Sequence, residues 1–499
     1  MHIVLDRHSG ITLTEQIRSS IADRIQSGLL QEGEKLPSVR NLSRLLDVSL
    51  MTVFHAYEML EHEKLVLRIQ GKGTFVQEKS SLRFNERQTQ NQSGKPSLDW
   101  QNAVADYLPR AQYWRMMQTP LVDVAKLSMA ALHTSLIPTE WLSKQFYQYS
   151  QVDNTALTEY GPVQGDSKLR EAVLPYFRTK NIMTSPNEIM ILNGSQQGID
   201  LVASTFVGPG DCVVLEEPVY PCTIDVFRKR GATIYTVPID EEGMQVDHLA
   251  KLCDSRPPKL IYTNPTFQNP TGTVMSMRRR VQLLELAQSY NSIILEDDAT
   301  SDIYFGTEPP PSIKSMDTRG HVIYLKGISK FISPGCRIGF LIADGTFITR
   351  LVGSKGISDL GTPLITQKAI LPFFSSNQLN KHLPVLREKL KERRNLVLQI
   401  LNHTAPKNVH WTKPDGGLNI WLTLPPAFHA EDLHANTLKE GISFLPGHVC
   451  FAAQQQFHHL RICFSYLDIH LLEQAVTTFC RLLHDFLHTN RHTQQFMHM

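Results

Sequence analysis

Between residues 11 and 76 apolar positions recur with helical spacing; they then give way to a polar stretch, and after about residue 113 they gather into short strand-like runs between helical patterns. The first stripe is Leu13, Ile17, Ile21, Ile25 and Leu29. A four-residue repeat puts these side chains on one face, which predicts an amphipathic helix ending near Gly28. Pro37 and Ser38 open a second helix whose buried side is Val39, Leu42, Leu45 and Leu46. After the turn Asp47-Val48-Ser49, Ser49 serves as N-cap of a third helix running to Leu60. Its inward stripe is Val53, Ala56, Tyr57 and Leu60, and its outward face carries Met51, His55, Glu58 and His62. The run from Leu65 to Val76, with Gly71-Lys72-Gly73 at its middle, predicts a two-stranded hairpin.

The next segment is rich in Ser, Gln and Asn and reads as a linker. Beyond it, Ile189-Met-Ile-Leu, Val213-Val-Leu, Leu260-Ile-Tyr, Ile293-Ile-Leu, Val322-Ile-Tyr-Leu and Ile338-Gly-Phe-Leu-Ile alternate with helical patterns. That alternation predicts an α/β domain with a mainly parallel sheet. The chain therefore divides into a small α+β domain at 10–77, a linker at 78–112, a large domain at 113–487 and a polar tail at 488–499.

Composition narrows the classes further. The charged fraction of 20% and hydrophobic fraction of 41% are those of ordinary globular protein. No apolar run approaches a membrane span, and the start of the chain lacks a signal peptide's apolar core, so the expectation is a cytoplasmic protein without membrane contact. The seven cysteines show neither zinc spacing nor a disulfide framework, which predicts reduced thiols and no metal site. Net charge is only +2, and residues 1–80 hold ten Lys/Arg against ten Asp/Glu. Nucleic-acid binding has to be argued from where the charges stand.

The three helices and hairpin supply such an arrangement. A helix-turn-helix puts the N-terminus of its last helix in the major groove, which makes Ser49, Met51, Thr52 and His55 candidates for base contact. Ser38, Arg40 and Arg44 are candidates for phosphate contact, and Lys72 and Gly73 can bring the hairpin tip to the backbone. Leu-Pro-Ser-x-Arg40, Leu-x-x-x-Leu-x-Val-Ser49, Thr-Val-x-x-Ala-Tyr57-x-x-Leu and Gly-x-Gly73-Thr-Phe-Val follow in that order. This resembles the winged helix-turn-helix domain of the GntR family of bacterial transcription regulators. The family usually has Arg just after the Ser that starts the recognition helix, where this chain has Leu50; Met51, Thr52 and His55, with apolar contact to thymine methyl groups, can then carry more of the readout.

The large domain offers the chemistry that pyridoxal 5′-phosphate needs. Lys330, in Ile-Ser-Lys330-Phe, is a candidate amine for its aldehyde. Asp297, in Leu-Glu296-Asp297-Asp298, is a candidate carboxylate for the pyridine nitrogen. Asn269 in Asn-Pro-Thr-Gly272 can donate to the ring hydroxyl, and Tyr220 in Glu217-Pro-Val-Tyr can cover the ring. Gly194-Ser195-Gln196-Gln197 opens a helix, expected over 198–207, whose start together with Arg337 can hold the phosphate. With Tyr160-Gly-Pro, this ordered set resembles the fold-type I aminotransferases. The resemblance makes Lys330 the Schiff-base lysine, Asp297 the ring-nitrogen partner, and Ser195, Gln196 and Arg337 phosphate ligands. It further implies that Tyr160 reaches the phosphate of a neighbouring subunit and that Arg461 pairs with a substrate or effector carboxylate. The chain departs from the family in two respects: Ala299 and Thr300 stand where a ring-hydroxyl tyrosine is usual, and Gly327 where a phosphate-binding Ser or Thr is usual.

A GntR-type winged helix joined to an aminotransferase-like domain is similar to the MocR subfamily. The resemblance implies a homodimer that binds double-stranded operator DNA and senses an amino compound, or the cofactor itself, through aldimine chemistry at Lys330. A catalytically competent aminotransferase with an accessory N-terminal domain is the alternative.

Overall fold

The computed structural model describes residues 5, 12–26, 30, 33–63, 65–69, 73–77, 124–152, 155–453 and 456–497. The chain separates into two compact units, 1–120 and 121–499. The expected linker at 78–112, the end of the first helix near Gly28, and Lys72 at the hairpin tip lie outside the described residues.

In the first unit, helices α1 (Leu13–Gln26), α2 (Val39–Leu46) and α3 (Leu50–His62) pack with a hairpin of β1 (Val66–Ile69) and β2 (Gly73–Val76). Ile17, Ile21, Val53, Ala56, Tyr57 and Leu60 have no exposure, which is the core that the helical stripes foretell. The Tyr57 hydroxyl donates to the Pro37 carbonyl at 2.8 Å and so ties α3 to the entry of α2. Ser38 and Ser49 cap α2 and α3, accepting from the amides of Asn41 and Thr52. Leu45 departs from the expectation and is 62% exposed. Each residue turns a helix by about 100°, and in so short a helix that carries Leu45 off the arc of Val39, Leu42 and Leu46.

The second unit opens with a short strand, β3 (Ala125–Lys126), and is built on an eight-stranded sheet. Its strands are β4 (Ile189–Leu192), β5 (Cys212–Glu217), β6 (Thr233–Asp240), β7 (Gly243–Met244), β8 (Leu260–Thr263), β9 (Ile293–Asp298), β10 (Val322–Gly327) and β11 (Gly339–Ile342). They lie in the order β4-β11-β10-β9-β8-β5-β6-β7, and neighbours from β10 to β6 are parallel. Every residue of β4, β8, β9, β10 and β11 is buried. Helices cover both faces of such a sheet, so its strands read as continuous apolar runs rather than alternating ones.

Four more strands, β12 (His410–Trp411), β13 (Asn419–Thr423), β15 (Leu445–Pro446) and β16 (His459–Cys463), form a small antiparallel sheet, and β14 (Ile442–Ser443) pairs with β3. The last helix runs over Ile469–Met497, so the segment expected as a tail from 488 continues that helix. No Gly or Pro interrupts it there. None of the seven cysteines is in a disulfide. Among the described residues no helix is long and apolar enough to cross a membrane.

Alternation along β9 sorts its three carboxylates. Glu296 and Asp298 share one face and Asp297 takes the other. Glu296 accepts from the amides of Ile313 and Lys314, each at 2.8 Å. Register sets Lys326 opposite Asp298, and its ammonium, without exposure, lies 2.9 Å from Asp298 and 2.6 Å from Asp302. Lys180 also reaches Asp302, at 2.9 Å. Burial works against the charge on Asp302, yet Lys180 and Lys326 hold its carboxyl well below the usual range. Replacing Lys326 with methionine leaves two buried carboxylates short of a cation. We expect a loss of about 3–5 kcal/mol of unfolding free energy, read from the urea midpoint.

Candidate functional site

The ends of β4, β5, β8, β9 and β10 that point the same way carry the expected groups, which is where open α/β sheets bind ligands. Asp297 is the last residue but one of β9 and is 6% exposed. Its Oδ2 accepts from the Tyr262 hydroxyl at 2.7 Å, while its Oδ1 is buried without a partner among the described residues. Tyr262 stands two register positions back on the neighbouring strand and on the same sheet face. Burial pushes the Asp297 carboxyl up to about 6, against the downward pull of the Tyr262 hydrogen bond.

Lys330 lies in the turn after β10 and donates to the Ala130 carbonyl; among the described residues it has no carboxylate ion pair. Burial pulls its amine down to about 8, with Arg461 and Arg337 pulling the same way and Cys463 and Asp297 pulling against them. These electrostatic partners put Lys330, Asp297, Arg337 and Arg461 around one space. Arg461, 5% exposed on β16, donates to Asn269 Oδ1 at 2.9 Å and to the Ser128 carbonyl at 2.6 Å. Asn264 accepts the Asn269 amide at 2.8 Å and donates to the Asp297 carbonyl, linking this loop to β9. Tyr220 is half-buried; burial, Cys222 and Asp297 raise its hydroxyl well above the usual value.

The helix after β4 begins at Ser195, three residues earlier than expected, with Gly194 as its N-cap at φ 85. Arg337 also takes a left-handed backbone, φ 51, and donates to the Asn193 carbonyl at 3.1 Å. A Cβ on Gly194 would stand 2.6 Å from the Arg337 guanidinium, so a glycine both permits the turn and admits the cation. Ser195 stands in the first turn; a Cβ on Gly327 would meet its Oγ at 3.1 Å, so the Ser195 hydroxyl fills the space that a side chain at 327 would enter. Gln196 follows, with its Oε1 buried and unpaired among the described residues. Tyr160 is 88% exposed and outside this group within one chain.

The buried carboxylate atom without a partner, an amine with no counter-ion among the described residues, and an arginine over a helix start suit a group with a ring N–H, an aldehyde and a phosphate. That is the donor set pyridoxal 5′-phosphate requires. Tyr262 is the residue that the sequence reading missed. The pattern of side chains gives no hint of the Ser128 and Ala130 carbonyls either, because main-chain atoms carry no residue signature.

In the first unit, Arg40, Arg44, Ser49, Met51, His55 and Gly73 are exposed, and Ser38 lies at the exposed start of α2. Thr52 is half-buried, and its hydroxyl lies 2.8 Å from that of Ser49, inside the cap. His55 Nδ1 lies 3.0 Å from Glu58.

Residues 128–479 match the family model for aminotransferase class I and II, and residues 13–76 that for bacterial regulatory proteins of the gntR family. An uncharacterised HTH-type transcriptional regulator of Bacillus subtilis, YisV, is 30% identical over 94% of this chain and 96% of its own length. Aromatic-amino-acid aminotransferase 1 of Thermococcus litoralis is 33% identical over 71% of this chain and 86% of its own. The crystal structure of the α-aminoadipate aminotransferase LysN from Thermus thermophilus, complexed with N-(5′-phosphopyridoxyl)-L-leucine, superposes with a TM-score of 0.73. It is 29% identical and covers 78% of this chain and 99% of that one. Fold and site together define a pyridoxal phosphate-binding protein of fold type I. The chain belongs to the aminotransferase class I and II family and carries the DNA-binding domain of the GntR family ahead of it.

Proposed function

We propose that this chain is a regulator of the MocR type: a homodimer whose winged helices bind operator DNA and whose large domain responds to an amino compound or to the cofactor itself. The observation that carries this reading is the match to a transcription regulator along both domains, 94% of this chain, where the aminotransferase relative spans 71%. The apolar surface at Leu157, Tyr160, Ile357 and Leu360, each at least 58% exposed, supports a second copy as its cover. Tyr160 of the partner subunit would then meet the phosphate.

Lys330 would hold the cofactor's aldehyde, Asp297 its ring N–H, Asn269 its hydroxyl, and Ser195, Gln196 and Arg337 its phosphate, with Tyr220 against the ring. When bound, the group supplies an electron sink for chemistry at the carbon bearing an amine. Asp297 can stay charged beside a ring N–H because Tyr262 fixes one oxygen and leaves the other free. Arg461 would trade its contact with Asn269 for a bidentate pair with an effector carboxylate. Arg40, Arg44 and Ser38 would hold phosphates, Lys72 and Gly73 would bring the hairpin tip to the sugar-phosphate backbone, and Ser49, Met51, Thr52 and His55 would face the groove.

The convergence of Lys330, Asp297 and Arg461 also supports the second reading, a working aminotransferase. To test the first, full-length protein is used to select bound duplexes from a random pool, with and without cofactor and an amino-acid panel. One enriched motif, whose affinity changes with at least one of these compounds, is expected. Absence of any enriched motif would remove the regulator reading.

A further inference from the structure

The face that α3 turns outward is apolar at its N-terminal end. Leu50 is 49% exposed, Met51 56% and Phe54 36%. These positions fall at i, i+1 and i+4, an arc of about 100° that lies beside the buried stripe of Val53, Ala56, Tyr57 and Leu60. Phe54 is held in place: the Arg68 guanidinium lies 4.8 Å over its ring and donates to its carbonyl at 3.0 Å. Arg68 is also paired with Glu61 at 3.3 Å.

The polar alternatives on this helix are few. From Leu50 to His62 there is no Arg, Lys, Asn or Gln, the side chains that pair bidentately with guanine or adenine. The Thr52 hydroxyl is engaged with Ser49 at the cap, and His55 has one ring nitrogen against Glu58. Glu58 adds negative charge to the same face. On α2, which packs against α3, Arg40 and Arg44 are exposed and can hold phosphates.

Resting on the DNA-binding reading above, we propose that this winged helix reads its operator through thymine methyl groups, with Leu50, Met51 and Phe54 as the reading surface. The C5 methyl of thymine is the one apolar group that a base pair presents in the major groove. Three apolar side chains at the start of a recognition helix have that partner available and no hydrogen bond to make. Sequence identity then comes from where methyl groups stand along the groove, and affinity from the phosphate contacts of α2.

The test uses the duplex enriched by full-length protein from a random pool. Its thymines are replaced one at a time by deoxyuridine, which keeps every hydrogen-bonding atom and removes only the methyl. Affinity should fall about fourfold at each contacted thymine, the worth of one buried methyl, and stay unchanged at thymines elsewhere. Leu50→Ala, at an exposed position that does not support the core, should weaken binding to the thymine duplex and erase the uracil effect at one position. Leu50→Arg should shift the enriched motif toward guanine. An enriched motif whose thymine and uracil forms bind equally at every position overturns the inference and leaves the DNA-binding reading intact. Failure to enrich any motif removes both.

Discussion

Lys330→Ala should abolish covalent attachment of pyridoxal phosphate completely, while the protein still folds and binds the cofactor loosely. Reduction with borohydride, denaturation and mass measurement should show the added cofactor on the native chain and none on the variant. What decides the outcome is which amine is available. Lys326 is the nearer lysine to β9 in sequence register, but it is held between Asp298 and Asp302 on the opposite sheet face. Lys330 has the Ala130 carbonyl for a partner and no carboxylate among the described residues, and burial pulls its amine from 10.5 to about 8. Attack on an aldehyde needs the neutral amine. At pH 7 about one amine in ten is then neutral, against roughly one in 3000 for an ordinary lysine. Attachment to cofactor-free protein should therefore quicken about tenfold per pH unit below pH 8 and level off above it. A rate still climbing beyond pH 10, or cofactor found on another lysine after proteolysis, would count against this assignment.

Much of this site is legible in the sequence because each group ends a strand-like run. Lys330, Asp297 and Ser195 all stand at or within three residues of the ends of apolar strands, at the sheet edge where ligands bind. Choosing Asp297 over its neighbours rests on a family resemblance; strand alternation gives the physical reason, since Glu296 and Asp298 face the other way and are already partnered. Tyr262 is not legible. A tyrosine inside Leu-Ile-Tyr-Thr reads as core, and only the pairing of β8 with β9 brings its hydroxyl to Asp297. The small sheet leaves little trace in the pattern because β12, β14 and β15 are two residues long, too short for a period to appear. Leu45 shows a related limit: in a two-turn helix it falls about 60° outside the arc of its apolar neighbours, and tertiary packing decides whether that margin is covered.

Turnover separates a regulator from an enzyme. With an amino donor and a keto acid, transamination should run slower than in a dedicated enzyme by on the order of 10²–10⁴, the usual worth of positioned acid–base groups. Neither residue that follows Asp298 offers a hydroxyl to the ring side: Ala299 has none, and Thr300 is buried with its Oγ1 3.3 Å from the Thr266 carbonyl and 3.4 Å from that of Phe267. The Tyr262 hydroxyl is committed to Asp297. An amino acid held by Arg461 would then stay long enough to bias the protein toward one state. Coupling between two sites is reciprocal, so operator DNA should change the amino acid's affinity by the factor that the amino acid changes affinity for DNA. Two titrations measure this: amino acid into protein with and without the selected duplex, and duplex into protein with and without amino acid. Equal factors, roughly five- to 150-fold for a coupling of about 1–3 kcal/mol, are the expected result. Fast turnover combined with factors of one in both titrations would instead favour the aminotransferase with an accessory domain.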